Sequence, residues 1–214
     1  MTMEVPTFNP QQIAQLTKAF HQGAAEASEA LARWVNATIT VSIDSVDQCP
    51  LDVAIRVLGE GDTGVCMCLM EMQGSLTGYM LLAFDDVSGW ALSDLLLGRP
   101  ARSTVEWGDV ENSCMLETMN IAGSSYLNGI SNDLTVRGRL QVELIPSPPT
   151  FLRDFAESLL QTAFMDQAIA SSNVVFAQTR FNLRGQALRW TFLLIPDHAS
   201  LQRLSVILAN LRDQ

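Results

Sequence analysis

Residues 109–131 read DVENSCMLETMNIAGSSYLNGIS, without a proline, and set the period from which the rest of the chain can be parsed. At 100° per residue, Met115, Met119, Ala122 and Tyr126 share one side of a helix. Ser113, Glu117, Asn120, Ser124, Asn128 and Ser131 fall on the other side, within roughly 80° of arc. Leu116, Leu127, Cys114 and Ile121 flank this polar stripe. A solvated helix face usually carries Glu, Lys, Gln or Arg, which are good helix formers. Ser and Asn compete with the backbone for hydrogen bonds and are poor choices there. The stripe reads either as an ordinary solvated face or as a face of short neutral side chains that another protein can approach closely.

Outward from this helix the chain repeats itself. Residues 10–35, PQQIAQLTKAFHQGAAEASEALARWV, are a second proline-poor helical stretch, and 18–32 falls on 117–131 at an offset of 99. At the same offset Asn36–Pro50 falls on Thr135–Pro149 without a gap. Further on, at an offset of 112, MLLAF at 80–84 falls on FLLIP at 192–196 and Leu92 on Leu204. A period near 100 residues is an internal duplication and not a solenoid, whose periods are about 20–50. Strands are expected over 37–46, 52–58, 65–72, 78–84, 134–144, 174–183 and 188–195, with a hairpin turn at Arg184-Gly185-Gln186. Short helices are expected over 88–98 and 201–211, and an extra helix over 151–164. Most links are too short for the crossovers a parallel sheet needs. The expected fold is therefore α+β, a mostly antiparallel sheet with two long helices related by a pseudo-twofold axis. Residues 1–214 are expected to be one domain of two repeats, 1–100 and 101–214.

Composition narrows the function. With 48% hydrophobic and 17% charged residues, the 214-residue chain has the make-up of a folded globule. Lys18 is its single lysine and the net charge is −10, which argues against nucleic acid and an anionic membrane surface as partners. The N-terminal MTMEVPTFNPQQ lacks the basic start and apolar run of a secretory signal, so the expected location is cytoplasmic. Cys66 and Cys68 lie on one face of a strand and read as buried reduced thiols. Without a second pair of Cys or His they do not make a zinc site. No phosphate loop or nucleophile elbow is present.

The pattern Ser113-x3-Glu117-x2-Asn120, continuing as NIAGSSYLNGIS and later IPSPP, resembles the CheC-type chemotaxis phosphatases, a family that includes CheC, CheX and FliY. GYMLLAFDD…LSDLLLG, LRWTFLLIPDHASLQRL and the duplication resemble the same family, so the likeness covers nearly the whole chain. The resemblance implies dephosphorylation of a CheY-like receiver domain of a response regulator. Asn120 would orient a water for in-line attack on the aspartyl phosphate, and Glu117 would pair with the receiver's active-site lysine. Ser113, Ser124 and Asn128 would contact the partner. No cofactor of its own is implied, because Mg²⁺ is expected on the receiver. In the first half the corresponding positions hold Ala14, Lys18 and His21, so one intact motif is expected. The family's proline would fall at position 143, which here is Glu143, and Pro146 comes three residues later. The same resemblance admits a non-catalytic adaptor that binds a receiver, a CheD-like deamidase or a flagellar-switch component.

Overall fold

The computed structural model describes residues 6–50, 53, 56, 64–155, 158, 173–183 and 186–211. The helices are α1 (Pro10–Val35), α2 (Asp86–Leu96), α3 (Asp109–Gly138) and α4 (His198–Ala209). The strands are β1 (Ile39–Pro50), β2 (Gly64–Gly74), β3 (Gly78–Phe84), β4 (Leu144–Pro146), β5 (Thr150–Phe155), β6 (Asn173–Leu183) and β7 (Gln186–Pro196). They form one sheet in the order β1-β6-β7-β3-β2-β4, with β5 also paired to β2. Every pairing among the described residues is antiparallel. The α+β antiparallel architecture expected from the sequence is thus the one observed. The hairpins β2–β3 and β6–β7 meet at the centre through β3 and β7. Strand β1, from the first half, pairs with β6, and β4 and β5, from the second half, pair with β2. The order therefore reads the same from either end once the halves are exchanged.

Strand alternation sorts the core. Cys66, Cys68, Met70 and Met72 on β2, Met80 and Leu82 on β3, and Trp190 and Phe192 on β7 join one large cluster with the helices. Val65, Met67, Leu81, Ala83, Leu193 and Ile195 form a second cluster on the opposite face. Both cysteines are buried as expected; Cys66 donates to Asp86 and Cys68 to the carbonyl of Met115. Helices α1 and α3 cross at Gly23 and Gly129. A Cβ on Gly129 would lie 2.6 Å from the Gly23 Cα, so only glycine admits this approach. Arg137 bridges the same two helices, donating to the Gln15 carbonyl oxygen (2.9 Å) and to Asp133.

Three expectations are corrected. Residues 134–144 are not a strand, because α3 continues to Gly138. Leu134 and Arg137, one turn apart, are both buried, and Arg137 locks that last turn to α1. Arg139, at φ 53°, then ends the helix in the left-handed region. Only Leu144–Pro146 is extended there, so the ungapped overlay of 36–50 on 135–149 fails over its first half. Of the helix expected over 151–164, residues 151–155 belong instead to β5, held by pairing with β2 from Gly64↔Phe155 to Leu69↔Thr150, Ser158 is helical, and the other positions lie outside the described residues. Within 52–58, Val53 and Arg56 are helical and not extended, and the other positions lie outside the described residues, as do Arg184-Gly185 of the expected turn.

Candidate functional site

Helix α3 presents the polar stripe because its opposite side is fixed in the core. Met115, Met119, Ala122 and Tyr126 are at most 1% exposed, and Tyr126 stacks on Phe192 at 4.6 Å. The N-terminus of α3 is pinned by Glu111, whose carboxylate accepts from the Gly108 N–H (3.1 Å) and from Arg99 (2.5 Å). The Arg99 hydrogen bond holds the Glu111 carboxyl below its ordinary range.

Ser113, Glu117 and Asn120 are exposed and Ser124 is half-buried. Together with Leu116 they form one wall of an open groove of about 510 Å³, whose other wall is Pro146-Ser147-Pro148-Pro149. Glu117 is the only ionisable side chain among the described residues lining it. The Ser113 hydroxyl donates to the Asp109 carbonyl oxygen (2.7 Å) and is committed to its own helix. The Glu117 carboxylate and Asn120 amide make no hydrogen bond or ion pair among the described residues, and both face the groove. A carboxylate and a primary amide one turn apart can accept from a cation and hold a water at fixed geometry. Neither is a nucleophile activated by a neighbouring base.

Asn128 is exposed on the same helix but does not line the groove, and the Ser131 hydroxyl is spent on the Val142 carbonyl oxygen (2.5 Å). Ala14, Lys18 and His21 are exposed on α1. The proline wall was visible in the sequence only as a turn, IPSPP; that it faces α3 follows from strand pairing. Strand β4 leaves β2 at Met72↔Pro146, and β5 joins it at Leu69↔Thr150. Three wall residues, 147–149, thus stand opposite two on β2, 70 and 71, which is a β-bulge. Proline donates no N–H and is admitted in sheets at edges and bulges.

Asp86 ties α2 to β5. Arg153 donates to both its oxygens at 2.8 Å, and Trp107 and Cys66 donate as well. The Arg153 hydrogen bond, aided by the other donors against the opposing effect of burial, lowers the Asp86 carboxyl to about 2. Burial raises the Cys66 and Cys68 thiols far above the ordinary thiol range, so neither is a nucleophile.

No protein-family model matches this sequence, and no curated protein matches it either. Solved structures do match. Thermotoga maritima FliY superimposes with a TM-score of 0.75 at 13% identity, over 95% of this chain and 98% of that one. The FliM middle domain from H. pylori gives 0.66 at 14% identity, over 94% and 99%. A chain of the FliG–FliM complex from H. pylori gives 0.65 at 13%, over 91% and 100%. The chain has the FliY and FliM middle-domain fold. This is the fold that the resemblance to the CheC-type proteins implied. Among the described residues, no helix is long and apolar enough to cross a membrane.

Proposed function

We propose that this protein hydrolyses the aspartyl phosphate of a CheY-like receiver domain, in chemotaxis or another two-component pathway. The observation that carries the reading is the pair Glu117 and Asn120, without a hydrogen-bond or ion-pair partner among the described residues, in a groove with no other ionisable group among its described lining residues. An acyl phosphate is already activated, so the task left to the protein is to place a water in line with the phosphorus. In this reading the Asn120 amide holds that water, donating through its NH₂ and accepting through its carbonyl oxygen. Glu117 accepts from the receiver's active-site lysine and sets the register. Magnesium on the receiver supplies charge neutralisation. Ser113 and Ser124 keep the helix surface low enough for close approach, and Asn128 meets the partner outside the groove. In this reading the setting is cytoplasmic, with a CheD-like deamidase as an additional partner. The same reading takes 1–100 and 101–214 as two repeats of one domain, supported by the symmetric strand order. Decay of receiver phosphate, followed with and without the protein across a panel of receivers, tests it; equal decay throughout refutes it.

A second reading is favoured by the likeness to the FliM middle domain and to a chain of a FliG–FliM complex. In it the chain is a docking part of a flagellar-switch assembly, and receivers bind without faster loss of phosphate.

A further inference from the structure

The groove's proline wall carries three prolines in four residues, so Ser147 owns the only backbone N–H between Ile145 and Thr150. That N–H donates to the Glu71 carbonyl oxygen at 2.9 Å. The Ser147 hydroxyl accepts from the Glu71 N–H at 2.9 Å and donates to the Pro148 carbonyl oxygen at 3.1 Å. Glu71 sits where the ladder is interrupted, between Met72↔Pro146 and Leu69↔Thr150. In a regular antiparallel pair its N–H would bond to a backbone carbonyl. Here a side-chain oxygen takes that place. Ser147 thus closes the ladder across the bulge and ties the wall to both backbone groups of one residue.

We propose that Ser147 is the positioning residue of this groove. By holding the bulge it fixes Pro146, Pro148 and Pro149 opposite Asn120, and so sets how tightly a receiver seats, without touching the reacting atoms. This rests on the function proposed above, in which a receiver seats on the groove and Asn120 holds the water. Without the hydroxyl, the Glu71 N–H loses its acceptor and the wall keeps one tether in place of two.

The test compares wild type, Ser147→Ala and Ser147→Thr, which restores a hydroxyl. Four quantities are read: amide exchange of the Glu71 N–H, affinity for CheY-type receivers activated with beryllofluoride and magnesium, and the KM and saturated rate of phosphate loss from the same receivers. Ser147→Ala should speed Glu71 exchange and raise both Kd and KM about tenfold, on the order of one hydrogen bond's net worth. The saturated rate should stay within about twofold of wild type. Ser147→Thr should recover most of the affinity, and the Ser147→Ala melt should fall only about 2–4 °C below the other two. Unchanged Glu71 exchange, unchanged affinity, no recovery with threonine, or a loss confined to the saturated rate would each overturn the assignment. If wild type binds receivers without dephosphorylating them, the catalytic reading fails while the Kd comparison still decides the role of Ser147. If it binds none of them, both fall.

Discussion

Substituting Gly129 by alanine adds one methyl group where the two long helices cross. Its Cβ would lie 2.6 Å from the Gly23 Cα and 2.8 Å from the Gln22 carbonyl oxygen, both backbone atoms that cannot rotate away. Ordinary carbon contacts are about 3.5–4.0 Å, so α1 and α3 must part by roughly 1 Å at the crossing. That separation loosens the edge-to-face contact of Phe20 with Tyr126, now 5.6 Å between centroids. Overpacking of this kind costs about 1–3 kcal/mol. Alanine's better helix propensity returns up to about 1 kcal/mol. The upper part of the cost range applies because the opposing atoms are backbone, which leaves a net loss near 2 kcal/mol. For a chain of this length the melting temperature should fall by about 4–8 °C. Gly138→Ala is the control, because a Cβ there meets only the tips of Leu211 and Leu140 at 3.3–3.4 Å. Paired thermal melts decide the matter. A Gly129→Ala variant as stable as wild type, or more so, would refute the claim that glycine is required at the crossing.

Glu117→Lys should weaken receiver binding, measured by titration, because it sets like charges together inside a closed contact, at a cost of about several kcal/mol; unchanged affinity removes the register role of Glu117. Asp86→Asn should lower stability at neutral pH and flatten its acid limb. The Asp86 carboxyl is lowered from 3.8 to about 2 on folding, so its contribution is complete above 3.8 and is lost as pH falls from there towards 2. Melts between pH 5 and pH 2 should show the wild type losing stability more steeply than the variant; parallel curves would mean that the Arg153 contact contributes nothing through ionisation.

Much of the fold is legible from local pattern alone. The alternation of 37–46, the apolar runs of 65–72 and 78–84 and the long period of 10–35 need no tertiary information, and the same holds for the buried side of α3. The errors lie where distant partners decide. Leu134-Thr135-Val136 has strand-forming residues, yet Gln15 on α1 holds Arg137 and draws the helix on. Thr150–Phe155 extends because the edge of β2 is open to it, roughly 80 residues earlier in the chain. The site divides in the same way. Ser113, Glu117, Asn120 and Ser124 are one helix face, readable from spacing. The wall opposite them is set by a bulge between two strands paired to β2, which no spacing within 144–155 reveals. Asn128 shares the stripe yet lies outside the groove, because the wall reaches only the turns from Ser113 to Ser124.

The central claim is that the Asn120 amide positions the attacking water. Loss of phosphate from a receiver, followed with wild type, Asn120→Ala and His21→Ala, tests it most directly. Asn120 is exposed, so its truncation should leave the melt within about 0.5 kcal/mol of wild type and most of the receiver affinity intact. Acceleration should fall by about 100-fold or more with the loss of the water's orienting group. His21→Ala, at the corresponding position on α1, should match wild type. Full activity in Asn120→Ala would contradict the mechanism and leave the docking reading in its place.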